Sequence, residues 1–291
     1  MKMEGWRWKV LLLWVSMLSG CSGESVPALF VFGDSLLDTG NNNGLATYAR
    51  AATPPYGSDF HNNNNNVSSG RFSNGPITTD FIAASLNVAC PPPFVSAGEN
   101  IEHGVNFASA GSGILDSTGS FFGEHYSMGA QISKFEEVKK RLEGRFGREK
   151  SGEMISKAVF YITTGSNDYL VTYYALPPTS LYALYSPLRF RQLLLSNLSQ
   201  QLQSLYDLGA RKLAVTAIPN IGCTPYALRV YGVREKDEIN CVKFMNDAAK
   251  AYNAEFFRVI RRLQARHPDA HFISNNGFEA SLLPYQNPTA Y

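Results

Sequence analysis

The chain has 291 residues, 44% of them hydrophobic, with 26 basic and 24 acidic residues and a net charge of +2. That length and apolar content suit one α/β domain with a substantial core, and so slight a charge excess makes no electrostatic case for nucleic acid or an anionic membrane surface. The five histidines are scattered without metal-ligand spacing, so no metal or other cofactor is expected.

The N-terminus reads as a leader. Lys2, Arg7 and Lys9 form a positive n-region, Val10 to Leu18 an apolar stretch too short to span a membrane, and Ser19 to Gly23 a zone of small residues. A signal peptide over 1–23 and a single domain over 24–291 follow, which places the mature chain outside the cell. The leader would take three basic residues and Glu4 with it, leaving the two signs in balance. Leu18-Ser19-Gly20-Cys21 also fits a lipoprotein cleavage box with Cys21 as lipid acceptor. Cys223 and Cys241 flank a polar loop and are the expected disulfide, which leaves Cys90 unpaired. Asn66-Val67-Ser68, in a polar loop, and Asn197-Leu198-Ser199, on a helix, are N-glycosylation sequons; Asn197 would be used only if it faces outward.

Ala28 to Phe32 is an uninterrupted apolar run between Pro27 and Gly33, the pattern of a strand buried on both faces. Gly33 permits a sharp strand-to-helix corner, and Ser35 sits on that corner as a candidate nucleophile, its charge development favoured by the helix N-terminus. A long loop with an asparagine tract, Asn62 to Asn66, follows. Pro76 then opens a helix with Ile77, Phe81, Ile82 and Leu86 on one side, and Gly104 to Ala108 reads as a short second strand. Gln131 to Phe146 is helical, Ala158 to Thr164 a strand, Arg189 to Leu208 a helix stopped by Gly209. Leu213 to Ile218 is the next strand, Ile239 to Ala265 a long helix, and His271 to Ser274 the last strand before a short helix. Strands alternating with helices imply a parallel sheet covered on both faces, with function at the carboxyl ends of the strands.

Three blocks fall at such ends. Taken singly, Gly33-Asp34-Ser35 would do no more than cap a helix, and Gly111-Ser112-Gly113 and Gly165-Ser166-Asn167-Asp168 would be turns. They occur in order, however, as GDSLLDTGNNN, GVNFASAGSGILD and TTGSNDY, joined by SSGRFSNGPITTDFIA and LYDLGARKLAVTAIPNIGC and closed by NPTAY. From Pro27 to Tyr291 the chain resembles the plant-type GDSL esterase/lipase family of the SGNH hydrolase group. The resemblance implies a three-layer α/β/α domain with a mainly parallel, flavodoxin-like sheet, and an acyl-ester substrate. It also implies Ser35 as nucleophile, with the N–H groups of Ser35 and Gly111 and the Asn167 amide forming the oxyanion hole. Asp38 and Asp168 read as local structural acceptors rather than catalytic acids.

That family carries its catalytic aspartate and histidine as DxxH after the last strand. None of His61, His103, His125, His267 and His271 has an acid three residues earlier, and Tyr291 comes first. The expectation is therefore a domain lacking its C-terminal element, poorly stable and nearly inactive, or a secreted glycoprotein that keeps the ester cleft without catalysis. His103 and His271 stand at strand starts and His267 closes a helix, whereas His61 and His125 lie in loops that could reach the site.

Overall fold

The computed structural model describes residues 25–60, 69–175, 181–287 and 289. The leader, Cys21, His61 and the Asn66 sequon lie outside the described residues. Four strands, β1 (Leu29–Gly33), β2 (Val159–Thr163), β3 (Lys212–Thr216) and β4 (His271–Asn275), form one parallel sheet in that order. Every position of β1 and β2 is buried, as their unbroken apolar runs require.

The stretch expected as a second strand runs beside β1 without becoming regular. Leu29 N donates to His103 O and Val31 N to Val105 O, then Phe107 N to Val31 O and Ser109 N to Gly33 O. On its outer side it meets only a bridge at Pro93, where Pro92 and Pro93 have no N–H to extend a ladder. With this stretch counted as the second strand, the spatial order is the flavodoxin-like 2-1-3-4-5.

Seven helices flank the sheet among the described residues: α1 (Thr78–Ser85), α2 (Met128–Phe146), α3 (Arg148–Lys157), α4 (Pro187–Asp207), α5 (Pro225–Tyr231), α6 (Lys243–Arg266) and α7 (Gly277–Gln286). None is long and apolar enough to cross a membrane. The pleat divides the strand side chains between two cores. Phe30, Phe32, Phe160, Ile162, Leu213 and Val215 pack with α2, α3, α4 and α6, while Leu29, Val31, Val159, Tyr161 and Ala214 pack with Leu37 and with Ile82, Ala83 and Leu86 in and just after α1.

Local chemistry moves several helix ends from where periodicity alone places them. Helix α4 begins at Pro187 because the Ser186 hydroxyl accepts from Arg189 N and proline suits the first helical position. Helix α6 begins at Lys243 and not at Ile239, because Asp237 Oδ1 takes the N–H groups of Ile239 and Cys241 and Cys241 is bonded to Cys223. In α1, Ile82 and Ala83 are buried but Phe81 is 45% exposed, so the apolar stripe is narrower than its sequence. Asp80 secures that helix: it accepts from Ile77 N at 2.8 Å and pairs through both oxygens with Arg71. The free Cys90 thiol donates to the same carboxylate, and burial pushes it up to about 12, so it is an unreactive packing group.

Phe135 of α2 is the hinge of the thicker core. Its ring lies 5.1 Å from those of Phe30 and Phe160, 6.0 Å from Phe32 and 6.2 Å from Phe107, mostly edge to face. Phe135→Ala is expected to lower folding stability by about 3–5 kcal/mol, read as a shifted midpoint in urea with an unchanged slope.

Candidate functional site

Ser35 lies two residues beyond the end of β1. The expected helix does not form there. The backbone makes a single hydrogen-bonded turn, with Leu37 N and Asp38 N donating to Asp34 O at 3.1 and 3.0 Å and Leu36 N to Asp34 Oδ1 at 3.0 Å. Helix growth stops because Asp38 Oδ1 takes Gly40 N and Asn41 N, both at 2.8 Å. A helix dipole therefore contributes nothing at Ser35, and its surroundings must come from elsewhere. The turn is sharp because Gly33 is glycine: its φ is +147°, and a Cβ there would lie 2.1 Å from the Thr163 carbonyl oxygen.

The second block docks on that corner. Gly33 O accepts from Ser109 N at 2.9 Å and from the Ser112 hydroxyl at 2.8 Å. Asp38 Oδ2 accepts from Ala110 N at 3.0 Å. The neighbouring amides complete the attachment. Asn41 Nδ2 donates to the carbonyls of Asn106 and Ala108, Asn42 Nδ2 to those of Ala49 and Ala110, and Asn106 Nδ2 to that of Leu37. The third block follows β2. Asn167 is half-buried and its Nδ2 donates to Ser112 O at 2.9 Å; among the described residues the second amide hydrogen has no acceptor. Asp168 beside it accepts from Ile114 N, Leu115 N and the Thr118 hydroxyl at 2.8–3.0 Å. A Cβ on Gly113 would come within 2.3 Å of that carboxylate, so glycine is required for the approach.

Ser112 links the three blocks: its hydroxyl bonds Gly33 O, two residues before Ser35, its carbonyl accepts from Asn167, and Gly111 precedes it in the chain. Ser35 is partly exposed; Gly111 is buried, with φ +87°. Among the described residues neither backbone N–H has an acceptor. Asp38 and Asp168 are structural acceptors, though not merely local ones: each spans two blocks.

Histidines are distributed unevenly. His103 O pairs with Leu29 N and His271 stands opposite Lys212, both at the N-terminal edge of the sheet, with His267 just ahead of β4. A five-residue strand separates that edge from Ser35 by ~13 Å, too far for a hydrogen bond. His125 is on the correct edge. Its Nδ1 faces Gly123 O at 3.2 Å, its Nε2 is buried with no partner among the described residues, and the next residue, Tyr126, donates its N–H to the Ser109 hydroxyl. Among the described residues no histidine hydrogen-bonds Ser35. Asn197 of α4 is half-buried with its amide on Leu193 O.

Sequence reasoning passed over Gln131. It is fully buried in α2, its amide oxygen accepting Gly33 N at 2.9 Å and its Nε2 donating to Gly33 O. The available signal was a polar residue in register with Phe135, Val138 and Leu142 on the buried stripe.

A parallel flavodoxin-like sheet whose three glycine-containing loops converge at its carboxyl edge, around a serine and unpaired donors, is the architecture of an α/β hydrolase of the SGNH type. The family model for GDSL-like lipase/acylhydrolase matches residues 29–285. The chain is 36% identical to GDSL esterase/lipase At3g53100 of Arabidopsis thaliana over 99% of its own length and 80% of that protein. With GDSL esterase/lipase At5g08460 of the same plant the identity is 36% over 91% and 69%, and with At1g29670 it is 35% over 98% and 78%. The chain belongs to the GDSL lipase/acylhydrolase family, whose members are hydrolases of ester bonds.

Three carboxyls are buried within this site. Burial, with the charges of Asp168 and Asp38 beside it, pushes Asp34 up to about 7 against the Leu36 and Asp34 N–H groups, and among the described residues its Oδ2 has no partner. Asp38 and Asp168 are pushed up to about 6 by burial, against several N–H donors that favour the charged form. An acid whose pKa rises on folding stabilises the fold fully below its unfolded value, near 4, and that contribution is lost as pH rises through the folded value. Wild-type stability should therefore fall between pH 5 and pH 8. Asp34→Asn should flatten the decline, as measured by urea midpoints at the two pH values.

Proposed function

We propose that the chain cleaves acyl esters through Ser35, with the oxyanion held by the N–H groups of Ser35 and Gly111 and by the Asn167 amide. The meeting of the three blocks at Ser112 carries this reading. Ser35 Oγ would add to the ester carbonyl while its proton passes to a base. The carbonyl oxygen, now negative, would lie among three neutral donors already fixed by the fold, so that little reorganisation accompanies the charge. The alcohol would leave with that proton from the base, and water would then add to the acyl-serine, passing a proton by way of the base to Ser35 Oγ as the acid is released.

Export belongs to the same proposal. Residues 1–23 have the sequence of a leader, and the Cys223–Cys241 disulfide suits an oxidising compartment. Among the described residues no histidine bonds Ser35, and that observation favours a second reading, in which the chain holds an ester in this cleft but turns it over slowly.

The test uses an organophosphonate ester probe and a p-nitrophenyl ester. Ser35→Ala is expected to abolish labelling and turnover together, and Asn167→Ala to lower kcat by ~10² to 10³. Labelling that survives Ser35→Ala would overturn the assignment of the nucleophile, whereas Ser35-dependent labelling without turnover would establish the second reading.

A further inference from the structure

We propose that Gln131 is a positioning residue that sets the Ser35 turn against the Gly111–Ser112 loop; this rests on the catalytic reading just given. The argument begins with an interruption in the ladder beside β1. Leu29 N bonds His103 O and Val31 N bonds Val105 O, so the series assigns Gly33 N to Phe107 O. It goes instead to Gln131 Oε1 at 2.9 Å. The same amide returns Nε2 to Gly33 O at 2.9 Å, to the Ser112 hydroxyl at 3.2 Å and to Tyr126 O at 2.9 Å.

A carboxamide is a peptide group without a chain. Held by α2, it stands in for the Phe107 carbonyl missing from the ladder; Ser109 N still bonds Gly33 O, and beyond it residues 110–112 bend away and present Gly111. A side chain with an acceptor and a donor about 2 Å apart can bond the N–H and the C=O of one residue; glutamine and asparagine offer that at every pH, whereas a carboxyl does so only while protonated. Gln131 touches neither the nucleophile nor the oxyanion. It ties the residue two before Ser35 to the residue after Gly111, and so fixes the separation on which transition-state binding depends. A misplacement of about 1 Å at such a site costs roughly 10²-fold in rate.

The expected signature is a fall in kcat with KM held. Full-length wild type, Ser35→Ala, Gln131→Leu, Gln131→Glu and a control, Val138→Ala on the same buried face of α2, are compared in p-nitrophenyl ester turnover and thermal melting. Both Gln131 variants should lose at least tenfold in kcat with KM within about twofold, while the control keeps its kcat despite a comparable loss of melting temperature. A protonated carboxyl can donate and accept as the amide does. Hence kcat of Gln131→Glu relative to wild type should rise as pH falls toward 5, and that of Gln131→Leu should not. A Ser35-dependent rate that Gln131→Leu leaves intact, or a loss no greater than the control's, overturns the positioning role alone. A wild-type rate that is absent or survives Ser35→Ala overturns the catalytic reading itself. If neither Gln131 variant folds, the clamp is a folding element and the proposal fails.

Discussion

The peptide of Gly33 is the point through which the molecule is assembled. Its Cα has no room for a substituent against Thr163 O, and its carbonyl receives a backbone N–H and a hydroxyl from the second block and a carboxamide from helix α2. Strand, loop and helix therefore meet on one carbonyl oxygen. A strand end thus becomes a joint that transmits the rigidity of the Phe30, Phe32, Phe135 and Phe160 core to the serine two residues later. Precision at a site of this kind requires support of that sort, because loops that carry functional residues are positioned by the scaffold beneath them.

Placing acids in such a joint runs against the ordinary preference for water. Asp38 and Asp168 are tolerable because each collects backbone N–H groups from a distant loop, which turns a desolvated charge into a staple between blocks. Asp34 is the exception, with an idle oxygen beside Ser35 and no donor from a distant loop. Stability yields to function in this way at many active sites.

The strands and the helix faces were legible because burial on both sides of β1 and β2, and the stripes Leu194-Leu198-Leu202-Leu205 and Met245-Ala249-Tyr252-Phe256, are patterns of composition along the chain. Gly104 to Ala108 misled because a glycine-bounded apolar run cannot reveal that its outer neighbour is Pro92-Pro93. The start of α6 misled because Asp237 captures N–H groups that periodicity assigns to a helix. In the candidate site, the order of the blocks pointed to Ser35, Gly111 and Asn167. Ser112, Asn41, Asn42 and Gln131 were not, since their significance lies in bonds across 19 to 98 residues of sequence. Pattern reading sees spacing, and these residues are defined by partners.

The joint is built largely of side-chain amides, and amides are perishable. Asn41, Asn42, Asn106 and Gln131 all donate Nδ2 or Nε2 hydrogens to carbonyl oxygens in a space that already holds Asp34 and Asp38. Deamidation at any of them exchanges a donor for an anion facing lone pairs, with no cation among their bonded partners to compensate. Burial that enforces the geometry also shields these groups from the water and backbone mobility that deamidation needs. The working lifetime of the protein is therefore coupled to the tightness of its site: any loosening that admits water exposes to slow hydrolysis the same amides that would be needed to close the site again.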